Sequence, residues 1–141
     1  MNEKSKRSAG ILLIVLPTVA YGGFSLLMLL MNPDSHYMEN PLRQNLFRAG
    51  HAHAGVLLIL SLVILKYVDG TSYSEGIKQL IRFGTPTTAI LLPFAFFFSV
   101  LSPNATKPND LIYVAYAGFG ILIITLLTLG IGLVRKEKNP R

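Results

Sequence analysis

Leu111–Val134 reads LIYVAYAGFGILIITLLTLGIGLV, twenty-four residues without one charged side chain. A helix needs about 20 predominantly apolar residues to cross a hydrocarbon core about 30 Å thick. This stretch alone therefore predicts a membrane span. Working outward from it, three more runs have the same character: 8–31, 47–68 and 83–101. The first and third hold no charged residue, and the second holds only Arg48 near its start and Lys66 near its end. The 8–31 run follows Lys4, Lys6 and Arg7 like a signal peptide, but its apolar part exceeds the roughly 7–15 residues of a signal core. It reads as a retained span. The expected fold is an all-α, integral membrane, four-helix antiparallel bundle, with residues 1–141 forming one domain.

Composition agrees. Of 141 residues, 51% are hydrophobic and 14% charged, against about 25% charged in an ordinary soluble domain. The absence of cysteine excludes disulfides, thiolate metal sites and thiol catalysis. The thirteen Lys and Arg outnumber seven Asp and Glu, for a net charge of +6. They cluster at the ends of apolar runs, which points to a lipid bilayer as partner and not to nucleic acid. Ten lie on one side: Lys4, Lys6, Arg7, Lys66, Lys78, Arg82, Arg135, Lys136, Lys138 and Arg141. Arg43, Arg48 and Lys107 lie on the other. By the positive-inside rule both termini are expected in the cytoplasm, with 32–40 and 102–110 facing outward. A bacterial cytoplasmic membrane is the expected location.

The connections carry punctuation. Asn40-Pro41 should start the second helix ahead of the membrane. Gly70 should end it in a left-handed cap. Ser72-Tyr73-Ser74-Glu75 has capping-box spacing, Pro86 and Pro93 should kink the third helix, and Asp110 should cap the fourth. Ile77, Leu80 and Ile81 are expected along the membrane interface.

All three histidines, His36, His51 and His53, map to the expected outer side, with Met28, Met31, Met38, Arg43, Gln44, Arg48 and Tyr37. Gln44, Arg48, His51 and Gly55 recur at helical spacing and share one face. His53 lies about 200° around from His51, so the two cannot easily clasp one ion. Ala49, Gly50, Ala52, Ala54 and Gly55 leave little side-chain volume around them. Such a surface admits a neighbouring helix or a flat ligand, and Gly50-x-x-x-Ala54 alternatively reads as a packing seam. Ionisable groups within spans are costly and usually mark sites.

Haem b would use His51 or His53 as axial ligand and Arg43 or Arg48 for propionates. Copper would draw on imidazole and thioether from His36, Met38, Met28, Met31, His51 and His53. The expected function is binding of haem or a transition metal, copper foremost, with His51 central, Arg48 on its face, and His53 and Gln44 nearby. Arg48, as a buried cation, should meet an anion, Glu39, Asp110 or carbonyls at a helix end. Two other readings use the same residues. One is a membrane enzyme acting on a lipophilic small molecule, with His51 as acid or base and Arg48 as anion clamp. The other is a structural or accessory subunit. The small residues of the second and fourth spans also predict a homo-oligomer.

Two short likenesses bear on these readings. An arginine just before a histidine near the outer end of a span resembles the haem-ligating helix of haem–copper oxidase catalytic subunits, whose further spans and ligands have no counterpart here. Arg48-Ala49-Gly50-His51 is similar to the Arg-Ala-His stretch of the four-helix membrane glutathione and eicosanoid enzymes, with a glycine inserted. His53, Ala54 and Gly55 stand where that pattern has Asn and Glu. Each likeness spans a few residues and identifies no family.

Overall fold

The computed structural model describes residues 1–135, and within them the chain is helical with no strand. Lys136, Lys138 and Arg141, part of the basic count above, lie outside the described residues. The long helices are α1 (Glu3–Val15), α2 (Pro17–Met31), α3 (Pro41–Tyr67), α4 (Glu75–Ser99) and α5 (Val114–Val134). α1 and α2 form one rod, so four helical rods are long and apolar enough to cross a membrane. The bundle is sequential. α4 is the most buried rod and packs between α3 and α5, while α1 and α2 lie against α3. Contacts such as Tyr73 Oη, just before α4, to the Thr128 carbonyl late in α5, and Arg43 at the start of α3 to the Val100 carbonyl at the end of α4, join opposite ends of successive rods. Neighbours are therefore antiparallel.

Local chemistry explains most boundaries. Asn40 accepts from the Arg43 amide at 3.1 Å with Pro41 in the first helical position, as expected. Pro17, which lacks an amide hydrogen, breaks the first rod, although Leu16 keeps helical geometry. The glycine pair Gly22-Gly23 does not break it. Gly70 adopts no positive φ; a 3₁₀ turn, Val68–Gly70, ends α3, and Thr71 Oγ donates back to the Val68 carbonyl at 2.9 Å. The capping box is not formed: Ser74 precedes α4 without a side-chain cap. Asn109, and not Asp110, caps the 3₁₀ turn Asp110–Tyr113 that leads into α5. α4 runs unbroken through Pro86 and Pro93. Ile81 is fully buried, packed with Ile64, Val68 and Leu129, while Ile77 and Leu80 are exposed.

Small residues set the spacing of α4 against its neighbours. A Cβ on Gly84 would collide with Thr125, and one on Gly50 would stand 3.0 Å from the Phe97 ring. The Gly50 seam is thus filled within the chain. The end carrying the N-terminus is fastened by Arg82, only 1% exposed. Its Nε donates to Ser5 Oγ at 2.9 Å, Nη1 to Glu75 at 2.7 Å and Gln79 at 3.3 Å, and Nη2 to Asp69 at 2.7 Å. Asp69 also accepts from the Asn2 amide and Ser5 Oγ. Both terminal nitrogens and Nε are spoken for, as a buried charge requires.

Candidate functional site

The two histidines of α3 point to different neighbours. Their 200° separation sends His51 toward α2 and His53 toward α4 and α5. The His51 ring lies in the notch of Gly22 and Gly23; a Cβ on Gly23 would be 3.2 Å from its Nε2 and one on Gly22 3.5 Å from its Nδ1. Gly55, on the same face, approaches Val19 of α2. The imidazole is half-buried and makes no hydrogen bond among the described residues. His53 Nδ1 lies 2.7 Å from the carbonyl oxygen of Ala49, one turn earlier. Its ring meets Phe96 edge-on at 5.2 Å and Phe119 at 6.2 Å. Nε2 has no partner and is not among the sealed buried atoms.

The arginines divide differently from the expectation. Arg48 is exposed, and its Nη2 donates to Gln44 Oε1 at 3.0 Å. Gln44 in turn donates to the carbonyls of Tyr37 and Met38. Neither Glu39 nor Asp110 pairs with it. The buried arginine is Arg43, 6% exposed, on the face that meets α4. Its Nε donates to the Val100 carbonyl at 3.2 Å, and its guanidinium stands 5.1 Å from the Phe47 ring and 6.0 Å from the Tyr37 ring. Nη1 is buried without a partner, and so is the Tyr37 hydroxyl. Burial pushes the Tyr37 phenol above its ordinary value, while the charges of Arg48 and Arg43, and the approach of the Arg48 guanidinium to the hydroxyl, pull it back in part. The phenol is therefore a neutral donor at physiological pH.

Tyr37 reaches this place because 33–40 folds back over the helix ends. The turn Pro33–Ser35 is followed by His36 in the left-handed region, at φ 49°. Asn40 Nδ2 then ties the segment to the other loop through the carbonyls of Pro103 and Ala105, at 2.9 and 3.0 Å. His36 Nδ1 lies 3.0 Å from Glu39 on the surface. Glu39, Asn40, Leu42 and Ala105 line a depression of about 720 Å³ shared with His36. Met28, Met31 and Met38 are exposed and spread over the rod end and loop. Met38 and His36 border one smaller depression, and Met28 borders another. No three His, Cys, Asp or Glu are grouped to hold a metal ion among the described residues.

Of the residues singled out in the sequence, the fold joins Gln44 to Arg48, and sets His51 and Gly55 on one face. It separates His51 from His53 and both from His36. Tyr37 as a buried lid, the aromatic walls at Phe96 and Phe119, and the Gly22-Gly23 notch were not anticipated as parts of a site. Their only sequence signal is the helical register of α3. The fold defines a class, helical chains with four rods of membrane-spanning length and composition. The chain matches no protein-family model, no curated protein and no solved structure.

Proposed function

We propose that the chain is a membrane-embedded haem b-binding protein, in which His53 would hold the haem through its imidazole. The observation that carries the reading is the short contact from His53 Nδ1 to the Ala49 carbonyl. A carbonyl can only accept, so Nδ1 bears a proton, and the neutral tautomer with that proton carries its lone pair on Nε2. Ligating histidines commonly present this arrangement: the far nitrogen anchored to a carbonyl, the near one free. Phe96 and Phe119, packed edge-on against the ring, make its surroundings apolar. Bound there, haem would supply one-electron transfer.

His51 suits the role less well than the sequence suggested. Metal–imidazole bonds are about 2 Å long, and that edge of the ring faces the close α2 backbone, where even a Cβ on Gly23 would stand 3.2 Å from Nε2. The reading includes the bilayer and the cytoplasmic termini inferred from the basic residues. A test is the absorption spectrum of detergent-purified protein, as isolated and after titration with haemin. We expect a Soret band that His53→Ala removes and His51→Ala retains. A wild-type protein that takes up no haem, or a band lost only in His51→Ala, overturns the proposal.

A further inference from the structure

We propose that Arg43 and Tyr37 form an oxyanion site for a phosphate group at the loop end of the bundle, filled by a phospholipid headgroup or by free phosphate. The inference rests on the chain spanning a membrane but not on haem. Among the described residues three buried side-chain polar atoms lack any hydrogen-bond partner: Arg43 Nη1, the Tyr37 hydroxyl and Thr85 Oγ1. Two of the three belong to neighbouring side chains, the Arg43 guanidinium lying over the Tyr37 ring at 6.0 Å from its centroid. Burying a donor unpaired is costly, and burying a charge without a counter-ion more so.

The electrostatics point the same way. Arg43 and Arg48 both lack a carboxylate partner among the described residues; the acid nearest in sequence, Glu39, is engaged by His36. Arg43 sits in the first turn of α3, where the positive end of the helix dipole repels cations and attracts anions. The end-on fork of Arg43, Nη1 and Nη2, makes no bond, since only Nε is used. That fork matches two oxygens of one phosphate, and the neutral Tyr37 phenol adds a third donor.

Position supplies the source. α3 has 27 residues, about 40 Å at 1.5 Å per residue, so its ends reach beyond a core about 30 Å thick into the headgroup layer. Arg43 lies at such an end. The depression lined by Asn40, Leu42 and Ala105 adjoins it, because Leu42 and Ala105 pack on Tyr37, Phe47 and Val100. His53 is ten residues further on, about 15 Å of rise, so this site and the haem reading stand or fall separately.

The experiment is native mass spectrometry of protein purified in maltoside and phosphate-free buffer. Phosphatidylglycerol, diacylglycerol and inorganic phosphate are titrated separately. We expect one phosphatidylglycerol bound to wild type, and no preference for diacylglycerol, which lacks the phosphate. Arg43→Lys keeps the charge but loses the fork, and Tyr37→Phe removes only the hydroxyl; each should weaken binding by about tenfold, the value of one charge-assisted hydrogen bond. Helicity by circular dichroism identifies any variant that fails to fold, and Tyr37→Phe, which removes an unpaired hydroxyl, should fold. Displacement of the lipid by inorganic phosphate assigns the site to free oxyanion, and lack of displacement assigns it to the headgroup. Equal lipid binding by wild type and both variants, or diacylglycerol bound as well as phosphatidylglycerol, overturns the proposal. So does a wild type that binds neither lipid nor phosphate.

Discussion

Arg82 and Arg43 are buried to nearly the same degree at opposite ends of one bundle, yet they are served differently. Arg82 meets two carboxylates, a serine and a glutamine, and ties Asn2 and Ser5 to Asp69 and α4. Arg43 has one carbonyl and two aromatic faces. The first end is complete within the chain. The second leaves an arginine nitrogen and a phenol hydroxyl unpaired on neighbouring side chains. Burial of a charge alone therefore does not mark a site; burial without internal compensation does.

Substitution at the two ends should break or sharpen this contrast. Arg82→Ala carries the largest expected effect. It leaves Asp69 with only the neutral Asn2 amide and Ser5 hydroxyl as partners, and should reduce stability by about 3 kcal/mol, read as a lowered thermal midpoint in detergent. Arg43→Ala loses one carbonyl bond and the ring contacts but also relieves an unmatched charge. Its cost in lipid-free micelles should be nearer about 1 kcal/mol. Equal losses at the two positions would break the comparison.

Tyr37→Phe sharpens it further. Without a phosphate ligand it should raise the thermal midpoint slightly, by less than about 1 kcal/mol, because it removes an unpaired hydroxyl. Any substantial loss would mean that the hydroxyl already has a partner. Gly23→Ala should do least. Its Cβ would stand 3.2 Å from the His51 ring, which can swing away, and the helix-propensity gain of alanine leaves a net change within about 0.5 kcal/mol.

Much of this architecture was legible in the sequence because hydrophobic length and helical register are local properties. The four rods of membrane-spanning length, the Asn40-Pro41 start and the divergence of His51 from His53 all follow from them. What was not legible depends on partners distant in the chain. Arg48 was expected to be the buried cation, yet Arg43 is, because Tyr37 folds back over the face that α3 shares with α4. In the sequence Arg82 stands only as one of ten basic residues that mark one side. The serine and acidic side chains that bury it lie 77, 13 and 7 residues away, and only the Glu75–Arg82 spacing, two helical turns, hinted at it. Gly70 looked like a left-handed cap, but Thr71 closes the α3 end by its own hydroxyl. The His51 notch needed the register of α2 against α3, which no periodicity within either helix contains.

The most direct measurement is an experimental density map of the protein in phosphatidylglycerol nanodiscs at a resolution that shows side chains. The account predicts phosphate-sized density within about 3 Å of Arg43 Nη1 and the Tyr37 hydroxyl, with the Arg82 end unchanged and free of added density. A Glu39 or Asp110 carboxylate turned in to pair with Arg43, or an empty contact between Arg43 and Tyr37, would contradict it.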